Sequence, residues 1–243
     1  MNKKSLNIEK LYVFVDFDGT ITKKDVGDEI FRVFGELEPL HSKLRSGELK
    51  IEDYWKEIFK TLKPGVGKKE IQEFAEEIEV DPYFKKFAEY CLDKGIPLTI
   101  VSDGFDVYIN TILKRLGLEN LPVYCNRALF NGGKPEPFYP YASESCDCLC
   151  ASCKRNSVIS KVPEEAAIAF VGDGYSDYCA AEHSDIIFAK KDLAAYCNEN
   201  KLPHYPFTSF FDVYRTLKDI LPKKGIKKRR QAELLRYKAF EIE

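Results

Sequence analysis

Three separated stretches of this sequence carry acidic and hydroxyl side chains in positions where they could bind a phosphate group and a metal ion. Each stretch follows an apolar run, and the polar residues concerned are Asp16, Asp18, Ser102, Asp173 and Asp177. In an open parallel sheet, the ligand crevice lies outside the carboxyl ends of the strands. If the apolar runs are strands of one sheet, the sequence predicts that these side chains converge in one acidic site.

The closest acidic pair, Asp16 and Asp18, follows the apolar run at 11–15. Residues two apart in an extended chain project from the same face, and Gly19 allows the chain to bend away. One carboxylate of such a pair can act as a nucleophile while the other carries a proton. Helix capping alone would require one acidic group per helix end rather than a doubled one.

A cation is needed if these carboxylates are buried together, since like charges repel strongly in a medium of low dielectric constant. Mg²⁺ prefers oxygen ligands and commonly binds phosphate as well, so we expect Mg²⁺ at this site. The hydroxyl groups of Thr20 and Ser102, together with backbone N–H groups at the strand ends, are candidate donors to phosphate oxygens.

The elements that would position these residues alternate between strands and helices. Apolar runs at 11–15, 96–102, 167–171 and 186–190 predict buried strands, and VYCNRALF before Asn131-Gly132 predicts a strand entering a hairpin. Helical periods fill residues 25–90, and a helix at 106–116 should close at Gly117. The predicted fold is therefore a doubly wound parallel α/β sheet with a small inserted helical cap.

Composition excludes several classes of function. With 37 basic and 39 acidic residues, the net charge of the 243-residue chain is −2, which does not favour nucleic acid or membrane surfaces. No apolar run approaches the roughly 20 residues needed to span a bilayer, and the N-terminus lacks the apolar core of a signal peptide. The basic stretch 223–230 contains no interleaved aromatic residues, as single-strand binding would need. We therefore expect a cytoplasmic protein.

Four of the eight cysteines lie within eight residues, at Cys146, Cys148, Cys150 and Cys153. The cluster has three interpretations: a structural Zn²⁺ site, a labile disulfide, or free thiols. We favour zinc, because an irregular loop needs a stabilising link and a reducing cytoplasm disfavours disulfides. The other four cysteines are scattered and are expected to be small buried apolar side chains, namely Cys91, Cys125, Cys179 and Cys197.

The motifs resemble those of the haloacid dehalogenase superfamily. Asp16-Phe17-Asp18-Gly19-Thr20 resembles its DxDGT motif, Ser102 with Asp103-Gly104 resembles its second motif, and Gly172-Asp173-Gly174-Tyr175-Ser176-Asp177 is similar to its GDGxxD motif. The order and spacing fit along residues 11–190. The helical insertion directly after the first motif resembles the phosphoserine-phosphatase-like branch.

The resemblance implies a phosphatase that forms an aspartyl-phosphate on Asp16, with Asp18 as general acid and base. It further implies that Mg²⁺ binds Asp16, the Asp18 backbone carbonyl and Asp173, with Asp177 supporting them. The implied phosphate-binding residues are Thr20, Ser102, Asp103, Gly104 and Lys154. Lys161 competes with Lys154 for the family's phosphate-contacting lysine.

The same resemblance predicts how the chain is divided. Residues 8–24 and 91–222 would form the core and residues 25–90 the cap. A Cys-rich loop would span 134–154, and a basic tail would span 223–243.

Two branches compete for the substrate, a small phosphorylated metabolite. Phosphoserine phosphatases place an arginine for the substrate carboxylate where this chain has Lys56, and a glutamate where it has Asp25. The 2-hydroxy-3-keto-5-methylthiopentenyl-1-phosphate phosphatases of methionine salvage resemble this chain in YCNRALF and around Cys153-Lys154-Arg155. The second resemblance is favoured and supports Lys154. Asp103 departs from both branches, which have glycine there. A phosphate-sensing module without catalysis is the non-enzymatic alternative, and it would be expected to lack Asp16 or Asp18.

Overall fold

A computed structural model describes residues 11–132, 134–146, 150–224 and 226–242. Its centre is a seven-stranded sheet in the order β4-β3-β2-β1-β5-β6-β7, parallel except for the antiparallel β3–β4 pair. The strands are β1 Leu11–Val15, β2 Leu98–Phe105, β3 Val123–Leu129, β4 Glu136–Phe138, β5 Ala167–Gly172, β6 Ile186–Ala189 and β7 Tyr205–Pro206. The prediction of a doubly wound α/β fold is confirmed.

Helices cover the sheet and form the insertion after β1. Those of the first half are α1 Val26–Phe34, α2 Leu40–Arg45, α3 Ile51–Lys60, α4 Lys68–Glu76, α5 Phe84–Asp93 and α6 Asp106–Leu116. Those of the second half are α7 Lys154–Ser160, α8 Tyr178–Glu182, α9 Lys191–Glu199, α10 Phe210–Lys224 and α11 Arg230–Ile242. As predicted, Gly117 ends α6 in the left-handed conformation, with φ of 71°.

The strand order reverses beside β1. The chain passes from β1 to β2 and β3 on one side, and later returns to place β5 on the other side of β1. Ligand crevices of open α/β sheets lie at such a reversal, outside the carboxyl ends of the strands. Asp16 directly follows β1 and Asp173 directly follows β5. The topology therefore brings the first and third acidic stretches together.

The second strand runs three residues further than predicted. It was expected to end at Ser102, but β2 continues to Phe105, and its pairing with β3 is irregular between Val101 and Phe105. Such an irregularity locally re-aims side chains. Ser102 and Gly104 lie within it, next to Asp18.

The inserted helices α1 to α4 pack on the core through aromatic side chains. Phe105 at the end of β2 contacts Trp55 and Phe59 of α3, with ring centroids 4.9 and 4.8 Å apart. At the base of the insertion, Thr22 and Val80 form an isolated antiparallel bridge. The two segments that join the insertion to the core are therefore held side by side.

Helix α5 lies on the core side of that base. Phe84 of α5 contacts Phe210 of α10, with ring centroids 4.9 Å apart. The predicted division at residue 90 consequently falls within a helix that packs against the core.

The C-terminal tail is docked through a buried ion pair. Arg236 of α11 donates hydrogen bonds to Asp185 Oδ1 at 3.2 Å and to the His183 carbonyl at 2.6 Å. The backbone N–H of Arg229 also donates to Asp185 Oδ1, at 2.9 Å. The Asp185 side chain is fully buried. In the part of the chain that the structure describes, no helix combines the length and apolar character needed to cross a bilayer.

We predict that Arg236→Met lowers the free energy of unfolding by about 3 kcal/mol, because it leaves a buried carboxylate without its cation. Arg215→Met is the matched control: Arg215 pairs with Asp212 at 3.8 Å while its side chain is 65% exposed. Loss of an exposed pair should cost less than about 1 kcal/mol. Urea unfolding of both variants gives the comparison, and equal losses would contradict the importance of the buried pair.

Candidate active site

A buried lysine joins two of the acidic motifs. Lys154 begins α7, and its Nζ lies 2.6 Å from Asp16 Oδ1 and 2.7 Å from Asp177 Oδ1. It also donates to Ser176 Oγ at 2.8 Å. The competing candidate, Lys161, is exposed and lies over the ring of Tyr124 instead. The structure therefore places Lys154, and not Lys161, among the acidic residues.

The charges of this group depend on one another. Burial raises the pKa of Asp16 well above its usual value, and the neighbouring Asp177 raises it further, whereas Lys154 lowers it. Burial alone would lower the pKa of Lys154, but the carboxylates of Asp16 and Asp177 outweigh burial and raise it. Lys154 consequently stays charged and compensates part of the negative charge.

Asp173 and Asp177 follow β5 and complete an acidic cluster. Asp173 accepts hydrogen bonds from the Thr20 hydroxyl at 3.1 Å and from Lys191 Nζ at 2.7 Å. Asp177 Oδ2 accepts from the backbone N–H groups of Asp173 and Gly174, at 2.8 and 3.0 Å. Thr20, predicted to contact phosphate, thus directs its hydroxyl to Asp173.

The carboxylates of this cluster fit a divalent metal ion. Asp16, Asp173 and Asp177 are buried and each offers an oxygen within 4.8 Å of the others. Oxygen ligands in this number and proximity suit a hard divalent cation. Gly19, with φ of 72°, is required beside them, because a Cβ atom there would lie 2.5 Å from Asp173 Oδ2.

Asp18 is held by three donors. Its Oδ1 accepts from the backbone N–H of Val26 at 3.0 Å, and its Oδ2 accepts from the hydroxyls of Tyr108 and Ser102, at 2.8 and 3.2 Å. Burial, with the nearby Asp25 carboxylate, raises the pKa of Asp18 to about 7. At neutral pH such a group exchanges a proton readily, as general acid–base catalysis requires.

Tyr108 is a site residue that the sequence did not reveal. It lies in the first turn of α6, where one tyrosine in an amphipathic helix carries no functional signal. Its hydroxyl explains the glycine at 104: a Cβ atom there would lie 1.8 Å from Tyr108 Oη and 2.4 Å from Asp18 Oδ2. The backbone N–H of Gly104 donates to Ser102 Oγ at 2.9 Å.

Asp103, predicted to contact phosphate, faces the Cys-rich loop. Its Oδ1 accepts from the backbone N–H of Ser152 at 2.8 Å, and its carbonyl accepts from the Asn126 amide at 2.7 Å. Burial raises the pKa of Asp103 to about 8. The Asp103 carboxylate is thus hydrogen-bonded to the backbone of the Cys-rich loop.

A cleft of about 480 Å³ lies between the cap and these residues. Its cap side includes Asp25, Asp28, Arg45, Ile51 and Trp55. Burial raises the pKa of Asp25 to about 7 and that of Asp28 to about 6, so both carboxyl groups carry less negative charge at neutral pH than exposed ones would.

Arg45, rather than Lys56, is the basic cap residue at this cleft. Lys56 is exposed and pairs with Asp53 at 3.7 Å. The guanidinium of Arg45 lies 5.7 Å from the centroid of the Tyr175 ring, across the mouth of the cleft. Sequence spacing did not indicate Arg45, because its position depends on how the cap folds over the core.

The predicted zinc ligands are only partly described. Cys148 lies outside the described residues, whereas Cys146, Cys150 and Cys153 lie within them. Cys153 caps α7, and its Sγ accepts from the backbone N–H of Asn156 at 3.5 Å. A site formed by all four cysteines stays a prediction.

Comparison with known proteins identifies a family of phosphatases. The family model described as Putative Phosphatase matches residues 11–204. A 2-hydroxy-3-keto-5-methylthiopentenyl-1-phosphate phosphatase of Brevibacillus brevis is 33% identical over 215 residues, covering 87% of this chain and 97% of that protein. The protein of that name from Bacillus pumilus is 32% identical over 210 residues, covering 85% and 90%.

Solved structures show the same architecture. A phosphoserine phosphatase determined as an analogue of its phospho-aspartyl intermediate superposes with a TM-score of 0.64 at 21% identity, covering 87% of this chain and 98% of that one. A substrate-bound phosphoserine phosphatase gives 0.65 at 21% identity, covering 85% and 97%. With its motifs, its topology and these relatives in agreement, the chain belongs to the family described as Putative Phosphatase.

Proposed function

We propose that this chain is a Mg²⁺-dependent phosphatase that transfers the phosphoryl group of a small phosphomonoester to Asp16 and then to water. The observation that carries the proposal is the position of Asp16, which lies at the carboxyl end of β1 with Lys154 2.6 Å from one carboxylate oxygen. Asp18, which could carry a proton, follows two residues later. Both groups border the cleft beneath the cap.

The first step forms a bond between an Asp16 carboxylate oxygen and phosphorus as the bond from phosphorus to the leaving oxygen breaks. Asp18 gives its proton to the leaving oxygen, so that a neutral alcohol departs. In the second step Asp18 takes a proton from water, and the water oxygen attacks phosphorus as the bond from phosphorus to the Asp16 oxygen breaks. Inorganic phosphate leaves and the Asp16 carboxylate is restored.

Other residues of the chain would bind the phosphate oxygens and the metal ion. Lys154 and the backbone N–H groups near Ser102 would bind phosphate oxygens. Asp16, the Asp18 backbone carbonyl and Asp173 would hold Mg²⁺, with Asp177 supporting them through the N–H groups of Asp173 and Gly174. When bound, the ion supplies positive charge against the phosphoryl oxygens.

For the substrate, we propose the 2-hydroxy-3-keto-5-methylthiopentenyl-1-phosphate that the relatives are named for. That ester has hydroxyl and keto groups and an apolar methylthio end, and no carboxylate. The cleft offers acidic Asp25 and Asp28 with apolar Ile51 and Trp55 on its cap side. Lys56, the counterpart of the carboxylate-binding arginine of phosphoserine phosphatases, is exposed and paired with Asp53. These features suit a neutral leaving group with an apolar end. We further propose that the reaction takes place in the cytoplasm.

We predict that Asp16→Asn reduces turnover of phosphate esters to the uncatalysed background, because an amide cannot form the acyl phosphate. The variant should unfold at nearly the same temperature as the wild type. Asp93→Asn, at the exposed end of α5, is the matched control and should retain full activity. Normal turnover by the Asp16 variant in a phosphate-release assay would refute the assignment.

The general acid role of Asp18 predicts a dependence on the leaving group. Asp18→Asn should slow the hydrolysis of an alkyl phosphate by about 10² to 10⁴, since an alkoxide leaves poorly without a proton. p-Nitrophenolate leaves readily without a proton, so the rate of p-nitrophenyl phosphate hydrolysis should fall much less. Single-turnover rates with both esters test this, and equal losses would argue against the role.

Removal of metal should abolish turnover, and Mg²⁺ should restore it better than Ca²⁺. Calcium accepts more ligands at longer distances, so it would hold the Asp16 carboxylate in a different geometry. Mg²⁺ should also raise the melting temperature of the metal-free wild type, but not that of Asp173→Asn. Full activity after exhaustive chelation would contradict the metal assignment.

A further inference from the structure

A second lysine contacts the acidic cluster from the solvent side, and the reaction above assigns it no role. Lys191 Nζ lies 2.7 Å from Asp173 Oδ2 and 3.4 Å from the Gly19 carbonyl oxygen. Its side chain is 53% exposed and borders the cleft, whereas the side chain of Lys154 is 2% exposed. Lys154 is thus a buried partner of the cluster, and Lys191 is a partner that solvent can reach.

The backbone holds Lys191 at this place despite two local costs. Lys191 has a φ of 47°, in the left-handed region that favours glycine. It is also the first residue of α9, where the helix dipole disfavours a cation. The backbone N–H of Lys190 donates to the Gly172 carbonyl at 3.3 Å. That of Leu193 donates to the Asp173 carbonyl at 2.9 Å, so the start of α9 is fixed beside the cluster. An unfavourable conformation that is fixed beside an acidic site points to a role in that site.

The contact uses a carboxylate that the proposed metal site also needs. Asp173 is one of the three residues whose oxygens lie within 4.8 Å of one another. Its Oδ2 accepts from Lys191, and its Oδ1 accepts from the Thr20 hydroxyl. An ammonium group and a divalent ion on the same carboxylate would lie close together and repel each other. Lys191 and Mg²⁺ are therefore expected to compete for Asp173.

The charge balance of the cluster indicates where the released lysine would go. Lys154 and one divalent ion carry three positive charges, which equals the charge of the three ionised carboxylates of the cluster. Lys191 would then be an additional cation at the cleft. The phosphate group of the ester brings about two negative charges at neutral pH. Since a lysine ammonium has rotatable donors on a flexible stem, it can turn from a carboxylate to a phosphate oxygen.

We propose that Lys191 is a displaceable counter-ion of the metal site, and this inference rests on the proposed phosphatase function. The ammonium group binds Asp173 Oδ2 until Mg²⁺ binds that carboxylate. It then turns into the cleft and binds a phosphate oxygen of the ester. The metal ion and the phosphate group therefore bind cooperatively, because the first frees a cation for the second.

Binding of Mg²⁺ to two lysine variants tests the exchange. Lys191→Met should bind Mg²⁺ about 5-fold more tightly than the wild type, because the ion no longer displaces an ammonium group. Lys190→Met is the matched control, since Lys190 Nζ donates to the Thr20 carbonyl at 3.5 Å and not to Asp173. The charge of Lys190 still acts on Asp173, so its removal measures the general effect of a nearby charge, which should be smaller. Isothermal titration calorimetry of the phosphate-free proteins gives the affinities.

Binding of inorganic phosphate tests where the lysine goes. At saturating Mg²⁺, Lys191→Met should bind phosphate about 10-fold more weakly than the wild type, because one charge-assisted hydrogen bond is lost. Lys190→Met should bind phosphate as the wild type does. The same calorimeter measures both variants.

A measurement on the wild type does not depend on any variant. The reactivity of the Lys191 amine can be followed by pulse labelling and peptide mass spectrometry. Mg²⁺ should increase the labelling of Lys191, since the ammonium group leaves Asp173, and phosphate added to the Mg²⁺ complex should decrease it. Lys23, which pairs with Glu79 at the surface, is the internal control, and neither addition should change its labelling.

The proposal is overturned by any of three results. These are equal gains of Mg²⁺ affinity in Lys191→Met and Lys190→Met, phosphate affinity of Lys191→Met equal to that of the wild type, and labelling of Lys191 that Mg²⁺ leaves unchanged. Each of them leaves the metal assignment standing, provided that the wild type binds Mg²⁺. A wild type that binds no Mg²⁺ would instead overturn the metal assignment and, with it, this inference.

Discussion

The active site depends on one buried cation, Lys154. Its ammonium group lies between Asp16 and Asp177 and is within 2.7 Å of both carboxylates. Burial of a charge costs several kcal/mol unless it is paired and hydrogen-bonded, and here the lysine has two carboxylates and the Ser176 hydroxyl as partners. Asp16, Lys154 and Asp177 come from stretches that are distant in the sequence. The charge and the position of each side chain therefore depend on the other two.

Other groups around the site compensate the negative charge of Asp173 and Asp177. Asp173 accepts hydrogen bonds from a second cation, Lys191, and from the Thr20 hydroxyl. Asp177 accepts hydrogen bonds from two backbone N–H groups in the tight turn after β5. Glycines stand where a side chain would enter this network, at Gly19 beside Asp173 and at Gly104 beside Asp18. The motif glycines thus serve the packing of the carboxylates as much as the bending of the chain.

The sequence was informative where a residue's role follows from its place at a strand end. Asp16 and Asp173 could be predicted because apolar runs mark buried strands, and parallel strands end at a common edge. The places of Tyr108 and Arg45 in the site could not be predicted, since their neighbours are set by how helices pack on the core. Asp103 lies inside a motif and was predicted to contact phosphate. Its carboxylate instead accepts a hydrogen bond from the backbone N–H of Ser152.

The pairing of Thr22 with Val80 joins the two segments that cross between the core and the insertion. Backbone hydrogen bonds from Lys23 N–H to the Glu79 carbonyl and from Asp81 N–H to the Ile21 carbonyl strengthen this link, so a displacement of one crossing segment has to carry the other with it. Away from that base, Arg45 meets Tyr175 of the core. The insertion is thus tied to the core both at its base and at the cleft, where Arg45 and Tyr175 are among the lining residues.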